Sequence, residues 1–260
     1  MLSEGFIVIE LTLLQQDKWH NYWCVDEHGG QWYFKASNGI RALYEWLASE
    51  IGKRMELPVP EVSPARIGDK LGVAIKDVGM GINVESPEFI SWLREMSVDW
   101  TLISNVAVFD ILICNMDRDA TNWFLIRSKQ EISFVLLDHD DAFLGRDVYL
   151  NARERDRQAQ IFRCYSKYPM QLREMADRWD ESPLLSMATN TDWEGVLSER
   201  CVNFIQLYPR MFPALVRRIF QLMRLRQIRM KNNTFGDGLG RMPRSCFDVP
   251  IKSPLMHWLW

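Results

Sequence analysis

Short runs of β-branched and aromatic residues dominate the first part of the chain and predict a sheet. Three runs rich in β-branched and aromatic residues, Phe6 to Leu14, Trp19 to Asp26 and Trp32 to Lys35, are typical of strands. Gly29-Gly30 lies between the second and third runs, where it predicts a hairpin turn. From about Ile40 to Gly52 the apolar spacing changes to that of a helix, so the sheet is interrupted there.

The chain then returns to the sheet. Ser37 and Asn38 are the candidate caps at the start of the predicted helix. Pro58 and Pro60 favour an extended connection after it, because proline fixes its own backbone and restricts the preceding residue. Lys70 to Lys76 is predicted to be the next strand, and its last residue would enter a connection to the remaining chain.

The middle of the chain predicts two helices and a hairpin. Ser86-Pro87 is an N-cap followed by a first-turn proline, so a helix should begin there and run towards Met96. A more apolar helix is expected from about Val98 to Cys114. After a polar loop, the apolar runs Trp123 to Ile126 and Ile132 to Leu137 predict a β-hairpin.

Residues 144–260 have a helical pattern. Thr191-Asp192 should precede a helix that runs to about Tyr208. Pro213 to Lys231 is predicted to be a basic amphipathic helix, which could bind RNA, an anionic membrane or an acidic protein. We favour a helix of the main body with its arginines in solvent. The apolar tail with Trp258 and Trp260 is expected to pack on the protein or on a partner.

Composition limits the possible functions. With 260 residues, 47% hydrophobic and 25% charged, the chain can form two lobes with a substantial core. The net charge of -3 gives no global reason to bind nucleic acid. Five cysteines without a C-x-x-C pair favour reduced thiols, and the N-terminus lacks the basic region of a signal peptide. We therefore expect a cytoplasmic protein that contacts a membrane only through helix 213–231, if at all.

The strongest candidate site lies between the second predicted helix and the hairpin. Asp117 and Asn122 have the D-x-x-x-x-N spacing of a protein-kinase catalytic loop, where Asp accepts the nucleophile's proton and Asn holds a metal. Asp138, at the end of the hairpin, would add an oxygen ligand suited to Mg²⁺. Arg118 is interpreted as the charge partner of Asp117 or as a contact to a phosphate. A surface turn would explain Asp117 alone, but not this combination.

Neighbouring polar residues receive structural interpretations. Asp110 is expected to hydrogen-bond the loop backbone, because a buried carboxylate needs partners. In the D-H-D-D run, His139 is expected to turn outward or to cap the strand, and Asp140 and Asp141 to be solvated. Zinc is not expected, since no second histidine or cysteine lies nearby.

A lysine and a glutamate complete the candidate site. Lys35 ends a strand and Glu45 lies on the next helix, as in a kinase small lobe that fixes a lysine on nucleotide phosphates. Taken alone, the two could be surface residues. Val73 to Lys76 matches the V-A-I-K motif of ordinary kinases, but Lys76 lies only 41 positions before Asp117 (117 minus 76). That distance is too short for the intervening elements, so Lys35 is preferred.

Together these residues resemble a known family. VFDILICNMDRDATNWFLI and FVLLDHDDAF resemble the N-x-D-R-x-x-x-N and I-D-H motifs of HipA-like kinases. WYFKASNGIRALYEWLASEIGKRMELPVPEV is similar to the family's small-lobe motif of Lys, Asn-Glu and L-P-V-P, although Tyr44 replaces the Asn. A second departure is the expected phosphate-covering loop, Gln15 to Tyr22, which contains neither glycine nor serine. Type II phosphatidylinositol 4-kinases are more distantly similar.

The resemblance implies a two-lobed, protein-kinase-like α+β fold, with a β-rich small N-terminal lobe over residues 1–80 and a helical C-terminal lobe over residues 81–260. It also assigns roles to the candidate residues. Lys35 would bind ATP phosphates and Glu45 would pair with it, Asp117 would be catalytic, and Asn122 and Asp138 would hold Mg²⁺. Independently of the resemblance, the strand that ends at Lys76 predicts a hinge where the backbone of Asp77 and Val78 could meet adenine.

Three functions follow from these expectations. The preferred one is phosphoryl transfer from ATP to a protein Ser/Thr hydroxyl, with an antitoxin or another regulatory protein as a possible partner. The alternatives are a lipid kinase of the phosphatidylinositol type and a catalytically inactive nucleotide-binding protein that acts by interaction. The glycine-free loop motivates the inactive alternative.

Overall fold

The computed structural model describes residues 8–18, 20–37, 39–83, 86–95, 100–118, 120–127, 132–145, 160–161, 164–165, 170–208 and 213–232. Its first part is a six-stranded sheet with the order β1-β5-β6-β4-β3-β2. The strands are β1 (Ile9–Glu10), β2 (Thr12–Gln16), β3 (Tyr22–Val25), β4 (Gln31–Ala36), β5 (Val62–Ile67) and β6 (Lys70–Lys76). Only the β1–β5 pair is parallel among the pairs formed by these strands. Helix α1 (Ile40–Arg54) connects β4 to β5.

A second, antiparallel sheet has the order β7-β8-β9 and consists of β7 (Gly81–Asn83), β8 (Trp123–Arg127) and β9 (Ile132–Leu136). The helices of this part are α2 (Phe89–Glu95), α3 (Trp100–Ile113), α4 (Met170–Ala176), α5 (Leu184–Asn190), α6 (Trp193–Gln206) and α7 (Pro213–Lys231). Short 3₁₀ turns occupy Ala120–Asn122 and Trp179–Glu181. The predicted α+β class, with its β-rich first part and helical remainder, is confirmed.

Most of the predicted elements are present, with shifted ends. The first predicted strand is divided into β1 and β2, and β2 continues to Gln16, inside the expected phosphate-covering loop. The second begins at Tyr22 instead of Trp19, which lies outside the described residues. The physical reason is a tight turn at residues 17–21, closed by a hydrogen bond from the Asp17 amide to the Asn21 carbonyl.

The helix that was predicted to begin near Ile40 is α1. The Ser37 Oγ accepts a hydrogen bond from the Ala42 amide at 3.1 Å, as expected of a capping residue, whereas Asn38 lies outside the described residues. The prediction that Lys76 ends a strand is confirmed, since β6 ends there. Its ammonium pairs with Glu61 on the protein surface.

One hydrophobic core joins the sheet to the helices. It contains Leu47 and Ile51 of α1, Val73 of β6, Phe109 of α3 and Phe204 of α6, all with at most 1% of their surface exposed. A smaller cluster around Phe34 includes Tyr22 and Trp32. The predicted boundary between the two lobes, at residue 80, lies in the segment between β6 and β7. The division of the chain into two lobes at this point stays a prediction.

The basic helix is observed as α7, and its arginines differ in environment. Arg226 is fully buried, and its guanidinium donates to the carbonyls of Leu112 and Phe143. Arg224 lies 3.3 Å from Glu194. The expected helix of the main body is observed, but the expectation that its arginines lie in solvent is wrong for Arg226, because the carbonyls of Leu112 and Phe143 bind its buried guanidinium. None of the described helices combines the length and the hydropathy that a membrane span requires. The tail with Trp258 and Trp260 lies outside the described residues.

Candidate active site

A partly buried lysine between two carboxylates forms the centre of the candidate site. The Lys35 Nζ at the end of β4 lies 3.0 Å from the Glu45 Oε2 on α1 and 2.7 Å from the Asp138 Oδ1 just after β9. Glu45 is fully buried, whereas 44% of the Asp138 side chain is exposed. The three residues that the sequence placed on separate elements therefore meet, and Asp138 forms the side that is open to a ligand.

Electrostatics hold Lys35 and Glu45 in their charged forms. Burial alone would lower the pKa of Lys35, but Glu45 and Asp138 outweigh it, so the pKa is raised. Burial alone would raise the pKa of Glu45, but Lys35 and the contacts to His139 hold it well below its usual range. A permanently charged ammonium beside an exposed carboxylate is suited to binding phosphate and a cation together.

The end of α3 delivers the candidate catalytic loop. Cys114 adopts a left-handed backbone (φ 54°), and the amides of Cys114 and Asn115 donate to the carbonyls of Ile111 and Asp110. This is a Schellman motif, which stops the helix and fixes the direction of the following chain. The Asn115 Oδ1 then accepts from the Asp117 amide at 3.2 Å. The start of the loop is thus held by backbone and side-chain contacts before it reaches Asp117.

Asn122 closes the same loop. Its Nδ2 donates to the Asp117 carbonyl at 2.6 Å, and its own carbonyl accepts from the Leu137 amide at 3.1 Å. The five-residue spacing therefore brings Asn122 back onto Asp117 and joins both to the strand end that carries Asp138. The contacts place these candidate residues in one region, and their proposed catalytic and metal-binding roles stay predictions.

Arg118 does not have the role that the sequence suggested. Its guanidinium forms an ion pair with Asp110 at 2.9 Å, both side chains are fully buried, and the Tyr165 hydroxyl donates to the same carboxylate. The Arg118 guanidinium also donates to the Leu137 carbonyl at 2.9 Å. The interpretation of Arg118 as a partner of Asp117 or a phosphate contact is corrected, because a fully buried guanidinium cannot reach a ligand. Asp110 binds mainly side chains instead of the loop backbone.

We expect Arg118→Met to lower the free energy of unfolding by about 3–5 kcal/mol, because it leaves the Asp110 carboxylate buried without its cation. Urea denaturation measures this loss. As a control, Arg66→Met removes an exposed pair with Glu10 and should cost far less, because solvent screens that pair. Equal costs for the two substitutions would contradict the structural role of Arg118.

The D-H-D-D run differs from the expected solvated turn. His139 is buried against the edge of the Phe109 ring, its amide donates to Glu45, and burial lowers the pKa of its imidazole. Asp141 is buried as well, and its Oδ1 lies 3.5 Å from the Arg41 guanidinium. The expectations that His139 points outward and that Asp141 is solvated are wrong. Packing against α1 and α3 determines both positions.

Asp140 is the third acidic group at the site. The carboxylate oxygens of Glu45, Asp138 and Asp140 lie within 4.8 Å of one another. Burial, and then the charge of Asp138, raise the pKa of Asp140 to about 7, so it is not the solvated residue that was expected. Because Glu45 is fully buried, whereas the side chains of Asp138 and Asp140 are partly exposed, the latter two are the carboxylates open to a cation. This excess of negative oxygen ligands fits Mg²⁺, a hard cation.

Two further predicted parts of the site, the hinge after Lys76 and the phosphate-covering loop, also have defined contacts. The Asp77 amide donates to the Gln31 carbonyl at 3.0 Å, and the contact of the Asp77 and Val78 backbone with adenine stays a prediction. In the glycine-free turn, Asp17 accepts from the Asn21 amide at 2.9 Å and from the Tyr33 hydroxyl. Side-chain hydrogen bonds thus shape a turn for which the family uses small residues.

The family model that describes HipA-like kinases matches residues 9–181, which include every candidate residue of this site. The chain belongs to the HipA-like kinase family. The predicted family is thus confirmed, and with it the general activity class, a phosphotransferase. A search of the curated proteins found no significant match.

Several solved kinases are similar to this HipA-like kinase in structure. The proinflammatory kinase CtkA of Helicobacter pylori is 15% identical with a TM-score of 0.47, and the match covers 87% of this chain and 94% of that chain. The Golgi casein kinase with Mn and ADP bound is 9% identical with a TM-score of 0.45, over 95% and 74% of the two chains. A Rio2 kinase complex from Chaetomium thermophilum is 11% identical with a TM-score of 0.38, over 88% and 72%.

Sequence reasoning missed several residues of the site in this HipA-like kinase. Asn115 could have been found, because it occupies the first position of the N-x-D-R-x-x-x-N motif. The position of Asp140 two residues after Asp138 was a weaker signal. No signal in the sequence pointed to Tyr165, because it contacts Asp110 from a distant part of the chain.

Proposed function

We propose that this HipA-like kinase transfers the γ-phosphate of ATP, in the presence of Mg²⁺, to a Ser or Thr hydroxyl of a protein. One observation carries the proposal: the Lys35 ammonium is held 3.0 Å from Glu45 and 2.7 Å from the exposed carboxylate of Asp138. A lysine fixed in this way next to a potential metal ligand is the arrangement that positions nucleotide phosphates in kinases.

Each residue of the site has a distinct proposed task. Lys35 binds the phosphates, and Glu45 keeps its ammonium charged and in place. Asp117 accepts the proton of the attacking hydroxyl, since the loop contacts through Asn115 and Asn122 hold its backbone. Asn122 and Asp138 would hold Mg²⁺, which would neutralise negative charge on the phosphates.

The environment of the basic helix supports a protein acceptor over a lipid headgroup. Arg226 is buried on backbone carbonyls, and Arg224 lies beside Glu194. Arg226 is therefore unavailable to a lipid, and the exposed Arg224 has an acidic neighbour, which weakens the case for α7 as a surface for anionic lipid. An antitoxin or another regulatory protein is proposed as the partner.

The test uses γ-labelled ATP and Mg²⁺ in a cell lysate, with the Asp117→Ala variant as control. We expect label on protein, as acid-stable phosphoserine or phosphothreonine, only with the unaltered kinase. Label in the lipid extract would favour the phosphatidylinositol-type alternative. ATP binding without transfer to any acceptor would favour the inactive alternative, and equal labelling by the Asp117→Ala variant would contradict the assignment of the catalytic residue.

A further inference from the structure

Helix α1, which carries Glu45, is enclosed by the rest of the protein. Each of the eleven residues from Ala42 to Gly52 is buried, including the charged residues Glu45 and Glu50. A helix on the surface of a protein normally leaves one face in solvent. Contacts therefore surround α1 on all sides, and it cannot turn or shift without breaking some of them.

Three consecutive residues of α1 contact three different parts of the protein. The Tyr44 ring packs on Phe143 at a centroid distance of 5.6 Å, and Phe143 follows the predicted metal ligand Asp138 by five positions. Glu45 binds Lys35 and the His139 amide. The Trp46 ring stacks on Phe204 of α6 at 5.1 Å with an interplanar angle of 27°.

An ion pair reinforces the contact between α1 and α6. The Arg200 guanidinium binds the Glu50 carboxylate and lies 5.5 Å from the centre of the Trp46 ring. Arg200 of α6 thus contacts α1 at two residues that are one helical turn apart. Because successive helical residues point about 100° apart, a rotation of α1 that displaced Trp46 would also displace Glu45. A shift of about 1 Å is enough to break the hydrogen bond to Lys35.

We propose that α6 is a functional part of the nucleotide site, in which Arg200 and Phe204 are positioning residues that hold α1 so that Glu45 meets Lys35. The proposal rests on the function proposed above and adds a region beyond residues 9–181, the part that the family model matches. On this proposal the contacts of α6 keep α1 in place, so that the pair between Lys35 and Glu45 is maintained.

A double-mutant cycle on nucleotide affinity tests the proposal. Calorimetry measures the binding of the non-hydrolysable analogue AMP-PNP with Mg²⁺ to the full chain and to Arg200→Ala, Glu45→Gln and the double variant. About 45% of the Arg200 side chain is exposed, so its loss should leave the protein folded. We expect Arg200→Ala to weaken binding about fivefold in the unaltered protein, and to have no further effect in the Glu45→Gln background.

An effect of Arg200 on binding that does not pass through Glu45 would instead give the same fold-loss in both backgrounds, which would overturn the proposal. Phe204→Leu provides a second variant with the same expected pattern, and Arg200→Lys should restore most of the affinity. The control Arg178→Ala removes an exposed pair with Glu181 and should leave binding unchanged. If Glu45→Gln alone leaves affinity unchanged, the proposed nucleotide site itself fails. If Glu45→Gln weakens binding but Arg200→Ala does not, only the role of α6 fails.

Discussion

Replacing Lys35 with methionine is expected to abolish activity and to destabilise the protein by about 3–5 kcal/mol at neutral pH, which urea denaturation measures. The reason is the environment of Glu45, whose side chain is fully buried and pairs with the Lys35 ammonium. Without that cation an isolated carboxylate would stay inside the protein. A loss of this size is a large part of the stability of an ordinary domain.

The same variant should reverse the pH dependence that Glu45 contributes. In the unaltered protein the pKa of Glu45 is held below its ordinary value of 4.5, so its stabilising contribution is complete above that pH and is lost only in acid. In Lys35→Met, burial should raise the pKa above 4.5, so stability should fall as the pH rises through this range, by about 1.4 kcal/mol per unit. The cost of the substitution should therefore be smaller at pH 5 than at pH 7.

Two controls separate this effect from a general intolerance of lysine replacement. Lys76→Met alters the lysine of the V-A-I-K sequence, whose ammonium forms an exposed pair with Glu61, and should change stability by at most about 1 kcal/mol without loss of activity. Lys35→Met combined with Glu45→Gln should recover most of the stability but not the activity, because no charge remains buried. A variant Lys35→Met as stable as Lys76→Met would contradict the buried pair.

The Asp117→Asn substitution is expected to slow phosphoryl transfer by about 10²- to 10⁴-fold, the usual contribution of a general base. The backbone of the loop should be unchanged, because the contacts of Asp117 with Asn115 and Asn122 are made by its backbone. Affinity for ATP should also be unchanged. Steady-state kinetics with a purified acceptor measures both the rate and the KM for ATP.

An exposed aspartate provides the matched control for this substitution. Asp69→Asn, in the turn between β5 and β6, should leave kcat and KM unaltered. A rate for Asp117→Asn within twofold of the unaltered enzyme would exclude Asp117 as the base. A change in KM alone would assign it to nucleotide binding instead.

The sequence predicted best where local periodicity carried the information. Lys35 could be placed at the end of a strand and Glu45 on the next helix because both elements have clear apolar patterns and lie close together in the chain. The hairpin that ends before Asp138 was predictable for the same reason. Family motifs then supplied the expectation that these residues meet.

The wrong predictions are those that depend on how far a side chain is buried in the folded protein. Several acidic residues lie near Arg118 along the sequence, and only the packing of α3 selects Asp110 as its partner. His139 lies among aspartates, which suggested solvent, but the Phe109 ring and Glu45 enclose it. The contact of Trp46 with Phe204 joins distant parts of the chain, so no local pattern could predict it.

The central claim is that Lys35, Glu45 and Asp138 form the phosphate-binding part of a kinase active site. The most direct test measures transfer of the γ-phosphate from labelled ATP by the unaltered protein and by the Lys35→Met, Glu45→Gln double variant, which is expected to fold. We predict Mg²⁺-dependent transfer by the unaltered protein and none above background by the double variant. Equal transfer by the two proteins would contradict the claim.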